Sequence, residues 1–403
     1  MRIVGNNDGA CATRVDPALV ETYLAESREL TLAEIRNIIP CDGRYRSILY
    51  DLMLEYPLRN AKALRPALCI ATCRALGGPL EAVLRSAATL ELYHNAFLIH
   101  DDVEDGSESR RDRPTLHWTH GAPIAVNVGD AMLAVALQPL LDNMRLIGMG
   151  KALRILQAIA RMARESAEGQ ALELHWIRTN EWDLTDTDYL RMVYKKTSWY
   201  TFMTPVLLGG IVAGASAEHL GALRQFAALL GIAFQIQDDI LNLTAEGGEY
   251  GKEFAGDLWE GKHTLILMHA VRSASGTERE RAMAILRKPR PSRSKRGHRV
   301  SPAPLSSRLL RSLERCGDLS AAGRQAIEAA LAPARGAGTK SATDIRFLIA
   351  LIDRYDSLDY ARAVSRRFAR RAEGILHRAT WLASSVHGEF LHALVAFVVQ
   401  RNR

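Results

Sequence analysis

The sequence predicts an all-α protein built as one large helical domain, and three observations predict it. Nearly half of the 403 residues are apolar, yet only 6% are aromatic, and the helix formers Ala and Leu are abundant. Apolar residues recur at helical spacing over long segments, with Pro and Gly falling mostly between them. No segment alternates apolar and polar residues as a half-buried strand would. A chain of this length can hold one large domain or two ordinary ones, and either buries a sizeable core.

Taken in order, residues 1–16 read as a loose leader entering a helix over 17–30. Residues 48–76 read as helix, turn, helix, with Pro57 and Pro66 marking loop or helix start. Gly77-Gly78-Pro79 breaks the chain and opens a long helix through Leu84, Ala88, Leu92 and Ile99. Further helices are expected over 129–147, 151–174, 185–208, 217–243 and 264–286. The rhythm then fails across 289–342. Pro289-Arg290-Pro291-Ser292-Arg293-Ser294-Lys295 is loop-like, and Ala334-Arg335-Gly336-Ala337-Gly338 reads as a tether. Two short amphipathic helices fit between them, over 305–315 and 319–331. Helical periodicity resumes at Ile345 and runs to Val399. The expected division is one domain made of 1–289 and 343–403, carrying a basic, partly helical or disordered insertion over 290–342.

The formal net charge is +7. Seven basic residues and no acid lie between Arg287 and Arg299, which equals the whole excess, so the remainder is balanced. The basic character therefore gives no reason to expect nucleic acid. A local polybasic arm could touch a membrane surface or an acidic partner. The five cysteines (Cys11, Cys41, Cys69, Cys73, Cys316) form no disulfide-like framework and fit a reducing cytosol. Cys69 and Cys73, four apart with no histidines at metal spacing, read as small core residues. Residues 1–10 lack an apolar signal core. The longest apolar run, over 204–217, is Gly-broken and short of the ~20 residues that span a bilayer. The expectation is a soluble, cytoplasmic protein rather than an integral membrane one.

Chemistry concentrates in Leu98-Ile99-His100-Asp101-Asp102-Val103-Glu104-Asp105, where four carboxylates end an apolar helical run. Residues four apart share a helical face, so Asp101 and Asp105 point the same way and His94 joins them. Mg²⁺ takes one or two carboxylates, several waters and substrate phosphates, which two aspartates one turn apart can supply. Asp102 and Glu104 project elsewhere and would pair with neighbouring bases, although Asp102 stays in the candidate metal set. The bland alternative is a charged helix end. Arg110 and Arg111 follow closely and offer planar forks for phosphate oxygens. A second acidic pair, Asp238-Asp239, lies in Phe234-Gln235-Ile236-Gln237-Asp238-Asp239-Ile240-Leu241-Asn242 on a helix that reads as mostly buried, where carboxylates must meet cations. Lys252, Asp257 and Lys262 follow among glycines that let backbone approach a phosphate. Lys62, Arg65, Lys195, Lys196 and Thr197 add further anion ligands. A lone lysine is usually solvated; together these residues form a site.

Those motifs, in that order, resemble a trans-isoprenyl diphosphate synthase (polyprenyl synthetase), most of all the bacterial geranylgeranyl diphosphate synthases. The matching text is Asn60-Ala61-Lys62-Ala63-Leu64-Arg65-Pro66, residues 98–105, Arg110-Arg111-Asp112-Arg113-Pro114, Lys196-Thr197, Phe234-Gln235-x-x-Asp238-Asp239 and Lys252…Asp257…Gly261-Lys262. The resemblance covers about 48–289 and resumes from about 345. It implies an isoprenoid-synthase-type helical bundle around a central active-site cavity, usually a homodimer. It implies two to three Mg²⁺ ions, held by Asp101, Asp105 and Asp238, with Asp102 and Asp239 beside them. Arg110, Lys196, Thr197, Gln235, Asp238, Lys252 and Lys262 match positions that bind the allylic diphosphate. Lys62, Arg65, His94 and Arg111 match those that hold isopentenyl diphosphate. Asp101, Asp105, Asp238, Lys196 and Lys252 would carry the chemistry.

The implied reaction is ionisation of the allylic diphosphate, attack by the isopentenyl double bond, and loss of a proton to the released diphosphate. By the same resemblance, side-chain bulk just before the first aspartates sets product length: Phe97 would favour fifteen- or twenty-carbon products and Ala96 would permit longer ones, so geranylgeranyl diphosphate is expected and farnesyl or longer products stand as alternatives. Three departures stand out: Asn60-Ala61 in place of a glycine pair, Asp112 where glycine is common, and Asn242 in place of a third aspartate. A class I terpene cyclase would carry a different second metal motif. A non-catalytic partner subunit would usually lose an aspartate motif, and both are present here.

Overall fold

The structure, a computed structural model, describes residues 17–291 apart from 42, 60 and 245–253, the single positions 316, 320 and 323, and residues 338–400 apart from 383. It is a layered bundle in which long helices surround a central cavity. Leu80–Asp105 packs on Leu64–Ala75, which in turn packs on Thr204–Ala213. Met149–Thr179 and Ala217–Thr244 hold between them the segment Tyr194–Met203. Ser357–Arg378 covers the far side of Ala217–Thr244. One hydrophobic core joins residues from both sides of the expected insertion: Phe226, Leu265 and Ile266 pack with Leu348, Phe368 and Phe390.

Local chemistry sets the helix ends. Pro79 is extended and starts Leu80–Asp105; Gly106, at φ +63°, closes it by donating to the Asp102 and Val103 carbonyls. Capping boxes start two helices: Thr185 with Asp188 before Asp186–Val193, and Ser341 with Asp344 before Ala342–Arg354.

Several elements differ from expectation. The first helix runs on to Ile38, and the helix expected over 151–174 spans Met149–Thr179. The helix expected over 129–147 begins earlier, at Ala122, where Pro123 sits in the first turn, and divides into Ala122–Val135, Gln138–Asp142 and Met144–Ile147, with Pro139 opening the second piece. The one expected over 185–208 is continuous but winds as a π-helix over Tyr194–Met203. The one expected over 264–286 breaks at the extended residues Ala274 and Ser275. The C-terminal periodicity resolves into Ala342–Arg354, Ser357–Arg378 and Val386–Gln400. A two-stranded hairpin, Ser109–Arg110 with Arg113–Pro114, was not expected. Its two loop residues, Arg111 and Asp112, both have positive φ (+52° and +60°), as a tight hairpin turn requires. That is why glycine suits position 112, and why aspartate, tolerant of this conformation, can stand there. The helices expected over 305–315 and 319–331 lie outside the described residues.

Two stretches, Ala122–Ile147 and Ala217–Thr244, are long and apolar enough to cross a membrane by length and composition, which corrects the expectation that no run is. The second is mostly buried inside the protein and lines its cavity.

Candidate active site

The helix Leu80–Asp105 sorts its acidic end by angle. Glu91, His94, Leu98 and Asp101 follow one another at three- and four-residue steps and all line the cavity. Asp102, one residue on, is turned about 100° aside and does not line the cavity. Its side chain is 1% exposed, accepts the Tyr56 hydroxyl at 2.5 Å and receives Arg110 Nε at 2.7 Å. Both oxygens are therefore taken inside the protein, which corrects its place in the metal set: Asp102 holds Arg110. Burial works against the Arg110 guanidinium, but the Asp102 carboxylate outweighs it and raises the arginine above its ordinary value.

Arg110 also reaches Asp101, at 3.7 Å. The hairpin that carries it is pinned by Arg59, a buried residue that sequence reasoning missed. Arg59 donates to the carbonyls of Arg110 (3.0 Å) and Pro114 (2.8 Å) and stacks over the Tyr56 ring at 4.2 Å. Arg111 points into the cavity instead, where burial pulls it down to about 10, with Arg110, Arg65 and Arg59 adding to the fall and Glu91 opposing it. A guanidinium under that strain gains from any arriving anion.

The π-helix Tyr194–Met203 presents Lys196 and Thr197 to the cavity. Lys196 pairs with Glu173 and lies 3.5 Å from Asp101. Burial disfavours its charge, yet Glu173 and Asp101 together hold it protonated above its usual value. Thr197 donates to Gln235 Oε1 at 2.8 Å; Gln235 Nε2 donates to Asp239 at 2.8 Å; the Tyr189 hydroxyl donates to the other Asp239 oxygen at 2.7 Å. Asp238 lines the cavity beside them. Asn242 proves to be a loop anchor: its side-chain oxygen accepts the Asp257 N–H at 3.2 Å, and its carbonyl accepts the Ala255 N–H at 2.9 Å.

Lys262 follows Gly261, whose φ is +77°, and reaches across to Asp105 at 2.8 Å and back to Glu260 at 2.9 Å. Burial alone would discharge it, but the two carboxylates raise it well above the usual value. Asp105 is raised as well, but for the opposite reason: burial lifts it to about 7, against the pull of Lys262. Lys252 lies outside the described residues.

A third group occupies the neighbouring wall. Arg65 stacks over Tyr200 at 4.4 Å and donates to Thr201 at 2.8 Å; Lys62 lies 6.0 Å from the Phe397 ring centroid. His94 is buried and its Nδ1 has no protein partner. Burial and the charges of Arg65, Arg111 and Arg110 press its pKa well below the ordinary value, so the imidazole is neutral at pH 7.

The cavity encloses about 670 Å³, lined by Lys62, Arg65, His94, Asp101, Arg110, Arg111, Lys196, Thr197, Gln235, Asp238, Asp239 and Lys262, with Leu98, Tyr200, Phe234 and Leu394 supplying apolar wall. Asp105 joins through Lys262. Among the described residues, no group of three or more His, Cys, Asp or Glu side chains is gathered closely enough to hold a metal ion by itself. The donor set nonetheless fits Mg²⁺, which takes few carboxylates and completes its shell with water and phosphate oxygens. The acids present are oxygen donors, and the cations that share the cavity with them suit polyanions. Gln170 and Glu173, which contact Asp101 and Lys196, were missed. Their signal was a polar stripe (Glu165, Ser166, Gly169, Glu173) on the otherwise apolar, buried face of Met149–Thr179.

The chain is similar to known proteins in sequence and in fold. The chain is 33% identical over 253 residues to the short chain isoprenyl diphosphate synthase of Methanocaldococcus jannaschii, covering 63% of this chain and 74% of that one. It is 36% identical over 213 residues to the geranylgeranyl diphosphate synthase of Methanosarcina mazei, covering 52% of this chain and 64% of the relative. The solved structure of geranylgeranyl pyrophosphate synthetase from Pyrococcus horikoshii superposes with a TM-score of 0.74 at 27% identity, over 94% of this chain and 99% of that one. A family model for polyprenyl synthetases matches residues 47–299, and with the fold and the motifs agreeing, this chain belongs to the polyprenyl synthetase family.

Proposed function

We propose that this protein is a trans-prenyltransferase that joins isopentenyl diphosphate head-to-tail to an allylic diphosphate, giving a short-chain all-trans prenyl diphosphate, and that its product is geranylgeranyl diphosphate. One observation supports the reading: a single cavity is lined by Asp101 and Asp238, by Arg110, Lys196 and Lys262, and by Lys62, Arg65, His94 and Arg111. That is room for two diphosphates, one at the acids and one away from them.

In this reading Asp101, Asp105 and Asp238 would hold two to three Mg²⁺ ions for the allylic diphosphate. Mg²⁺, when bound, neutralises the charge that develops as diphosphate leaves. Arg110, Lys196, Thr197, Gln235 and Lys262 orient that diphosphate and stabilise its departure as fixed charges and dipoles; Lys252 acts with them. Asp239 holds Gln235 and Tyr189 in place rather than binding metal. Lys62, Arg65, Arg111 and neutral His94 fix isopentenyl diphosphate so that its double bond faces the allylic cation. The proton then leaves for the released diphosphate. Apolar side chains keep water from the cation.

Product length rests on the aromatic cluster below Asp101. Phe97 meets Tyr200 edge-on at 5.7 Å and Tyr93 at 6.0 Å, and Ala96 is wholly buried, which supports a bulky stop to the tail in this reading. Residues 290–342 are an insertion in one domain, since the helices on both sides share a core. The protein acts as a homodimer, through the exposed apolar residues between Trp118 and Leu153. The free thiols of Cys41, Cys69, Cys73 and Cys316 suit a reducing cytoplasm.

The test is elongation. Purified protein with Mg²⁺, labelled isopentenyl diphosphate and each short allylic primer in turn is expected to give a dominant twenty-carbon alcohol after dephosphorylation. A fifteen-carbon or longer product would overturn the assigned length. No elongation by folded protein with any primer would overturn the enzyme reading and favour a non-catalytic partner subunit.

A further inference from the structure

Lys262, a residue of the allylic diphosphate site, and the root of the insertion share one carboxylate. Glu260 ends the short helix Gly256–Glu260 and accepts two cations: Lys262 Nζ at 2.9 Å on one oxygen, Arg290 Nη1 at 2.8 Å on the other. All three side chains are largely sequestered, with exposures of 15% for Glu260, 17% for Lys262 and 28% for Arg290. Lys262 continues the chain of contacts to Asp105 at 2.8 Å. From the other end of the insertion, buried Lys340 donates from Nζ to the Trp259 carbonyl at 2.9 Å, on the same short helix. The backbone N–H of Lys340 also donates to the Pro289 carbonyl at 3.0 Å, so the chain leaves and returns at one point. Gly261 is needed where these elements crowd: a Cβ there would lie 3.1 Å from Lys340 Nζ. Both flanks of the insertion thus grip the turn that presents Lys262.

We propose that Arg290 is a positioning residue for the allylic diphosphate site, acting through Glu260 to set how much of the Lys262 charge is free to meet a diphosphate. The inference rests on the prenyltransferase reading of Lys262. A carboxylate shared by two cations neutralises neither completely. With Arg290 in place, Glu260 orients Lys262 without cancelling it, so that when metal draws Asp105 away Lys262 turns to the substrate. Without Arg290, Glu260 loses its 2.8 Å partner, draws more strongly on Lys262 and competes with the incoming diphosphate. Arg65 and His94 draw on a different set of partners, Tyr200, Thr201 and Arg111, so isopentenyl diphosphate binding is expected to stay as it was.

The experiment measures, by calorimetry with Mg²⁺, binding of a thiolo analogue of an allylic diphosphate that cannot ionise, to the full chain and to R290A, R290K, E260Q and the R290A/E260Q pair. Exposed Arg287→Ala serves as control. R290A is expected to weaken analogue binding about three- to tenfold, R290K to restore most of it, and R287A to change nothing. In the E260Q background, R290A is expected to have no further effect, because the carboxylate it acts through is gone. The KM for isopentenyl diphosphate is expected to stay level in R290A, a split that general destabilisation would not produce. Unchanged analogue binding in R290A, an equal loss for both substrates, or additive losses in the pair would overturn the proposal. Should the unaltered protein bind no analogue, the prenyltransferase reading itself falls and takes this inference with it.

Discussion

Adjacent carboxylates Asp101 and Asp102 do different work because one step along a helix is a turn of about 100°. Asp101 looks into the cavity between Lys196 and Arg110; Asp102 is walled in by Tyr56 and Arg110. Asp102→Asn is therefore expected to act on stability, costing about 3–5 kcal/mol by leaving the buried Arg110 guanidinium without its counter-charge. Urea unfolding would read that loss, while the Mg²⁺ concentration for half-maximal turnover of the folded fraction stays put. Asp101→Asn is expected to do the reverse, with little change in unfolding and a Mg²⁺ requirement raised by roughly tenfold, ~1.4 kcal/mol of lost metal affinity. An Asp102→Asn enzyme that demands more Mg²⁺ would restore Asp102 to the metal set. Helical spacing made Asp101, Asp105 and His94 legible from the sequence. It also turned Asp102 away, yet adjacency within the acidic run kept that residue among the metal ligands. Tyr56 and Arg59 were invisible because they reach the site from another element, and nothing in their own neighbourhood announces a buried partner some fifty residues on.

The element that decides the allylic site is the π-wound Tyr194–Met203, and glycines admit it. A Cβ on Gly169 would lie 2.3 Å from the Lys196 backbone nitrogen, and one on Gly231 would lie 2.8 Å from the Ser198 Cα. Both obstacles are backbone atoms that cannot swing aside. Gly169→Ala is thus expected to push the segment outward, cost about 1–3 kcal/mol by overpacking, and draw Lys196 off Asp101, so that kcat falls and the allylic KM rises together. Gly221→Ala, in the helix Ala217–Thr244 with open space around its Cβ, is expected to stabilise by about 0.5–1 kcal/mol through helix propensity alone. Thermal melts and steady-state kinetics on the two variants separate close approach from propensity. A Gly169→Ala enzyme as stable and active as the parent would mean that the two helices have slack the geometry denies. Long helices were legible because periodicity persists over many turns. The π winding was not, since the same residues satisfy an α pattern and the cause is the tertiary squeeze between two glycines in distant helices. The Arg111–Asp112 turn was hidden likewise, because neither residue advertises positive φ as glycine would.

At the scale of the molecule, apolar pattern marks what is buried without saying by what. The run from Trp118 to Leu153 reads as ordinary helix in the sequence, yet the fold leaves Trp118 (44%), Leu146 (54%), Met149 (67%) and Leu153 (50%) exposed, with Ile124, Val126, Leu137 and Leu141 beside them. Apolar residues concentrated along so few successive segments are uncommon on a monomer's surface, where they would cost solubility, and they suit a partner of the same kind. The same stretch includes Ala122–Ile147, one of the two apolar enough for a bilayer, so a second copy and a membrane compete for it. Geometry favours the copy, because the chain there divides into three short helices with Pro139 opening the second, whereas a lipid-facing span must satisfy its backbone within one helix. Sedimentation equilibrium is expected to give twice the chain mass for the parent, and the chain mass for a Leu146→Glu/Leu153→Glu variant, since two carboxylates in the seam would have to lose their water. Flotation with neutral phosphatidylcholine vesicles decides the rival: a parent protein that stays a monomer and floats would assign the surface to lipid. A dimer that survives both glutamates would place the interface elsewhere. The variant's unfolding curve should match the parent's extrapolated to low concentration, because both substitutions lie outside the two buried cores.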